Sequence, residues 1–260
     1  MVVPVNPRYP TRQHELATAA IVEFFAAREE TEAVLLVNSC ARGKATADSC
    51  LDIKVLVPDG RSTAALEAAW RRRHETVPVF AALRRAGTFS VVHLDIEDDR
   101  LDLVPHPVDE YPDDFELGIG NLLVYGVPLW ERGDLLDGLR RRWLPYYDEA
   151  LRRQRLAEVR WCCRDYLEHI PLYVDRGLFF QAFARLWGAF RMFLQALFIA
   201  RRTYPIAYDK WIHEQVVEIL GLPDLYERLP RLFEIGRFES DEVVGKAKDL
   251  ERLLDAYARE

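Results

Sequence analysis

Residues 33–57 constrain the fold more than any other part of the chain. Ala33-Val-Leu-Leu-Val37 is wholly apolar, and Leu51-Asp-Ile-Lys-Val-Leu-Val57 alternates apolar residues with Asp52 and Lys54. A short apolar run bounded by turn formers is the pattern of a buried strand, and a period of two is that of a strand with one covered face. Both therefore belong to one sheet. Asp52 and Lys54 share one face of the second strand, while Leu51, Ile53 and Val55 share the other. The connection opens with Asn38, Ser39, Cys40, Ala41, Arg42 and Gly43, small or polar residues that let a backbone approach an anion and offer it amide donors.

Such donors at one strand end, with a carboxylate at the start of the next, suit a metal-bound nucleotide. The ordered set Asn38-Ser39, Ala41-Arg42-Gly43 and Ser49-Cys50-Leu51-Asp52-Ile53 resembles the polymerase-beta-like nucleotidyltransferase superfamily, and more narrowly its minimal and antibiotic-modifying members, the kanamycin and lincosamide nucleotidyltransferases. The match is tight over about thirty residues, a motif spacing that states a hypothesis. The resemblance implies that Asn38, Ser39 and Arg42 cradle phosphates, that Asp52 and Asp102 hold Mg2+, and that an NTP is the substrate. Asp102 lies between Leu101 and Leu103 on the returning arm of an expected hairpin over Thr88–Pro105; Asp95, between Leu94 and Ile96, is the competing third carboxylate.

Two positions depart from that pattern. Asn38 replaces the family's glycine, a mild change because asparagine tolerates left-handed backbone. Cys50 replaces the first metal-binding carboxylate, a severe one because magnesium takes hard oxygen ligands and a thiolate is soft. Asp48, two residues earlier, could reach a metal only through a shifted loop and is otherwise a turn residue.

The expected fold class is α+β: a mixed sheet with flanking helices over residues 1–134, then an all-α bundle over 135–260. Thr11 caps a helix running to Arg28, Ser62 opens a second, and Asn121–Gly126 adds a short strand. Beyond residue 135 the periodicity predicts helices over 137–173, 177–202, 208–220 and 241–259. Trp161, Phe179, Phe183, Trp187, Phe190 and Phe193 recur at helical spacing and are expected in the core. Leu178–Ala200, the most apolar segment, is interrupted by Gln181, Arg185, Arg191 and Gln195, which reads as a buried bundle helix. By resemblance the bundle is similar to the HEPN fold.

In this second region Lys210 is expected at a helix start as a phosphate contact, and Glu168 as a general base toward the acceptor hydroxyl. Glu168 also lies four residues from Arg164, the spacing of a simple ion pair. Arg164 and His169 match the spacing of HEPN ribonucleases, a pattern that abundant arginine produces by chance.

A net charge of −7 is spread along the chain and argues against a nucleic-acid surface. Four cysteines without metal-type pairing predict a reduced, cytoplasmic setting, and no signal or spanning pattern is read. The function expected is transfer of a nucleoside monophosphate from an NTP to a hydroxyl of a small molecule or protein, by a chain that resemblance allows to dimerise. The alternative is a degenerate fold kept as a nucleotide-binding or protein-interaction module, for which Cys50 speaks.

Overall fold

The computed structural model describes residues 7–60, 63–80, 92–97 and 112–260. The fold class is α+β: a four-stranded mixed sheet with flanking helices, and a helical C-terminal region. The chain divides into two compact units. Of the described residues, the first holds those up to 97 together with Gly118–Leu144, and the second holds 112–117 together with Pro145–Glu260.

In the first unit the strand order is β3-β2-β1-β4, with β1 Ala33–Leu36, β2 Leu51–Leu56, β3 Val92–Glu97 and β4 Val127–Glu131. β1 runs antiparallel to both β2 and β4, whereas β2 and β3 are parallel. A parallel pair needs a crossover, and the helix Thr63–Thr76 lies in the connection. β1 sits between two neighbours, which is why all four of its residues are buried. The helix Arg12–Ala26 places Ala17, Ile21 and Phe25, spaced four apart, in a core with Val34, Leu36, Leu51, Ile53 and Val55. Thr11 is its N-cap, its hydroxyl accepting from the His14 amide. Among the described residues β4 ends the sheet, where the missing amide of Pro128 is tolerated; the register shifts beside it, between Val34 and Leu35.

The structure corrects the strand expected over Asn121–Gly126. Gly120–Val124 forms a π-helical turn that buries Leu122 and Leu123, and the strand begins only at Val127. Gly126 makes the switch. A Cβ there would stand 2.2 Å from the Leu122 carbonyl oxygen, so only glycine lets the chain leave the helix so abruptly.

In the second unit the helices Glu149–Glu168 and Phe179–Ala200 pack against each other and against Glu242–Tyr257. The continuous helix expected over 137–173 is three helices. Leu144 is extended before Pro145, as the ring of a following proline demands, and a second break falls at His169 before Pro171. The segment expected to be helical from Tyr208 stays irregular to Trp211, whose φ is +59°, and its helical part includes a π-turn over Glu214–Ile219. The helix Phe179–Ala200 is long and apolar enough to cross a membrane by composition, yet thirteen of its residues are buried in this unit. Phe190 and Phe193 are core, as their spacing predicts, but Trp161 is 55% exposed. The buried stripe of its helix runs through Arg152, Leu156, Val159, Cys163 and Tyr166, and position 161 falls off that stripe.

Glu149 ties two helix ends together. Its carboxylate accepts from Arg152 at 2.6 and 2.9 Å and from Arg202, just past the Phe179–Ala200 helix, at 3.1 Å. The hydrogen bonds from Arg152 act most strongly, desolvation opposes them, and with the further bonds from Arg202 the net effect holds its pKa down to about 2.

Two outcomes follow from these features. Gly126→Ala is expected to lower stability by about 1–3 kcal/mol in urea titration, the range of overpacking that moves backbone. Glu149 is depressed in the folded state, so its contribution is present above its ordinary pKa of 4.5 and is lost as pH falls toward about 2. Glu149→Gln should flatten the acid limb of a melting-temperature profile in that window and leave the limb above pH 6 parallel to that of the parent; an unchanged acid limb would remove Glu149 from the account.

Candidate functional site

The site built from the sequence begins where β1 ends. The Val37 amide donates to the Asp52 carbonyl at 3.0 Å, one step beyond the Leu36–Ile53 register pair. The chain then turns through the short helical turn Asn38–Ala41. Asn38 has φ +57°, the left-handed conformation that a side chain other than asparagine, aspartate or glycine rarely takes. The turn closes on itself, with Arg42 N bonded to Asn38 O at 3.2 Å and Lys44 N to Ser39 O at 2.9 Å, and Gly43 relieves it at φ +71°. The fold thus brings Asn38, Ser39 and the start of β2, with Asp52, to one end of the sheet. Asp52, Ser39 and Arg42 are all half-buried.

The connection between turn and β2 is pinned by His14, which is buried on the Arg12–Ala26 helix. Its Nε2 lies 3.0 Å from the Ser49 carbonyl oxygen and its Nδ1 2.7 Å from the Thr11 hydroxyl. A carbonyl can only accept, so Nε2 carries the proton in that contact and Nδ1 accepts from Thr11. Ser49 closes the preceding turn through its hydroxyl, which accepts from Thr46 N at 2.9 Å. Asp48 is exposed.

Cys40 is buried within the turn, and its thiol donates toward the Cys50 carbonyl at 3.7 Å. Burial first, then the charge of Asp52 and the neighbouring Cys50, push its pKa up to about 12, so it stays a neutral thiol.

Next along the same face of β2, Lys54 meets Asp95. Lys54 Nζ stands 2.9 Å from Asp95, its register partner on β3, and 2.5 Å from Glu97, two residues further along that strand. Burial lowers the Lys54 pKa, but Glu97 and Asp95 outweigh it and the net direction is upward, a lysine kept charged by its partners. Asp95 is therefore engaged by a cation of the protein itself. Asp102, the favoured third carboxylate, lies outside the described residues, as do Ser62 and most of the expected hairpin. Among the described residues no three His, Cys, Asp or Glu side chains converge as a metal site would require. An open cleft of about 580 Å³ lies further along the first unit, between Trp70, Arg71 and His74 on one side and the Lys54, Asp95 and Glu97 group on the other.

Glu168 and Lys210 both belong to the second unit and are exposed. Glu168 is the last residue of its helix. Arg164, four residues away, donates instead to Asp255 at 2.5 Å. Lys210 precedes the helical segment, in irregular chain where its carbonyl accepts from Gln215 at 3.0 Å.

Sequence reading missed a buried polar cluster in the second unit. The Arg155 guanidinium grips Glu116 with two donors, at 2.6 and 2.8 Å, and reaches Asp113 at 2.6 Å. Glu116 also accepts from the Tyr147 hydroxyl at 2.7 Å and from Gln195 at 2.9 Å, so each of its oxygens takes two bonds. Burial favours a neutral Arg155, yet Glu116 and Asp113 reverse this and drive its pKa up; burial and Glu116 drive that of Tyr147 up as well. The one available signal was helical: Arg152 and Arg155 fall on the stripe shared with Leu156 and Val159, where a solvated arginine has no place.

No known family profile matches the chain, and no curated protein does. One solved structure similar to it is a nucleotidyltransferase-like protein from Exiguobacterium sibiricum 255-15. That protein is 16% identical, with a TM-score of 0.44, the alignment covering 93% of this chain and 74% of the other.

Removing one member of a buried ion cluster strands the others. Arg155→Met is expected to cost about 3–5 kcal/mol in urea titration, because Glu116 and Asp113 stay buried without a cation. A loss below about 1 kcal/mol, the worth of an exposed pair, would show that the cluster does not hold the unit together.

Proposed function

We propose that the first unit binds a nucleoside triphosphate through the turn Asn38–Arg42, in the manner of a nucleotidyltransferase, and that the chain transfers a nucleoside monophosphate to a hydroxyl of a small molecule or protein. The observation that supports this reading best is the pairing of Val37 with Asp52, which puts the left-handed turn and a strand carboxylate at one sheet end. The Ser39 hydroxyl and turn amides would meet phosphate oxygens, and Arg42 would supply positive charge. A magnesium ion, where such enzymes bind one, neutralises charge between the phosphates. The donors described here fit such an ion only in part: Asp52 offers hard oxygen, Cys50 offers soft sulfur, and Asp95 is held by Lys54.

That partial fit favours a second reading, a nucleotide-binding or interaction module without turnover. Calorimetric titration with ATP and GTP, with and without magnesium, separates the two when paired with an assay for NTP consumption. An active transferase should bind more tightly with magnesium, and Asp52→Ala should weaken that binding at least tenfold while leaving the melting temperature within a few degrees of the parent. Binding that ignores both magnesium and Asp52 would sink the transferase assignment. New magnesium-dependent turnover in Cys50→Asp, absent from the parent, would establish the module reading.

A further inference from the structure

The four cysteines are unequal. Cys40, Cys162 and Cys163 are buried, and Cys163 is further occupied in donating to the Ala189 carbonyl. Cys50 is half-exposed. An oxidant in bulk solvent therefore meets Cys50 first, since reactivity follows access as well as thiolate character. Of the three buried sulfurs, that of Cys40 lies 3.7 Å from the carbonyl of Cys50 itself, whereas Cys162 and Cys163 belong to the second unit. The residues joining the pair run through turns and coil from Arg42 to Cys50, and with the neighbouring Ser49 carbonyl held by His14, the geometry a disulfide demands has to come from the Cys50 side chain turning toward the Cys40 sulfur.

We propose that Cys40 and Cys50 form an intrachain disulfide on exposure to a hydroperoxide, so that the turn carrying Asn38 and Ser39 is redox-sensitive. The sulfur of Cys50 attacks hydrogen peroxide: an S–O bond forms, the O–O bond breaks, and water leaves, giving a sulfenic acid. The sulfur of Cys40 then displaces the hydroxyl: the S–S bond forms, the S–O bond breaks, and the hydroxyl departs as water with the proton of Cys40. Two thiols are oxidised and one peroxide is reduced to two waters. Burial keeps Cys40 a neutral thiol and a poor target for bulk oxidant; its nearness to Cys50 offsets that low reactivity, provided its proton passes to the departing hydroxyl as the S–S bond forms. The new bond ties the end of the turn Asn38–Ala41 to the start of β2. The inference does not depend on whether the chain is a transferase.

The test treats the full chain with stoichiometric hydrogen peroxide, quenches with an alkylating agent, and maps peptides without reduction. The expected result is a loss of two hydrogens in the intact monomer and a cross-linked tryptic pair, Glu29–Arg42 with Ala45–Lys54, that a dithiol reductant separates. Cys50→Ser should abolish the cross-link, and Cys40→Ser should leave a sulfenic acid at Cys50 that dimedone traps. If the buried Cys40 variant fails to fold, mapping of the parent chain alone decides. A parent in which Cys50 stays reduced, or proceeds to sulfinic acid without the cross-link, overturns the proposal.

Discussion

The double burial of β1 is the constraint on which the first unit depends. A strand hydrogen-bonded on both edges and covered on both faces has no freedom of register, because a one-residue slip would turn its neighbours' apolar sets to solvent. β1 thereby fixes β2 on one side and β4 on the other, and its last hydrogen bond, from Val37 to Asp52, sets where the chain must turn. The left-handed Asn38 is a consequence. The chain has to leave a buried strand and start a helical turn within one residue, and asparagine accepts that backbone at less cost than most side chains.

What was legible in the sequence was what local periodicity encodes. The all-apolar β1, the alternating β2, the helix capped by Thr11 and the buried helix Phe179–Ala200 each carry their own pattern. What was not legible depended on distant partners or on a single backbone contact. β4 was placed too early because Gly120–Val124 is apolar enough for a strand, and only the close approach of Gly126 to the Leu122 carbonyl shows that it coils. The long helix was carried through Pro145 because periodicity resumes beyond it. Trp161 was assigned to the core on aromatic spacing alone, although the stripe of its own helix excludes it. In the candidate site the turn and Asp52 could be read together, since they are neighbours in sequence; the engagement of Asp95 by Lys54 could not, since it requires the parallel pairing of β2 with β3.

The second unit shows how burial sorts residues of one type. Glu149 stays at the surface and meets Arg152 and Arg202, so its partners share it with water. Glu116 is buried, and the same ionic form is tolerable there only because four donors saturate it. Its partners come from positions 31 to 79 residues away. A cluster of that kind fixes one arrangement of the helices, since sliding any of them by a turn would expose a carboxylate to apolar surroundings with no donor.

A thiol rather than a carboxylate at position 50 sets the electrostatics at the head of β2. Carboxylates at positions 50 and 52 would share a strand face and repel. A fold carrying that pair gains stability from any cation that binds between them. With a thiol at 50 the repulsion is absent, and this end of the sheet closes without a cation to compensate it. The Cys50 side chain is half-exposed, and its backbone carbonyl faces the buried Cys40 thiol at 3.7 Å. On the same strand face Lys54 is committed to Asp95 and Glu97, so its charge is balanced within the sheet.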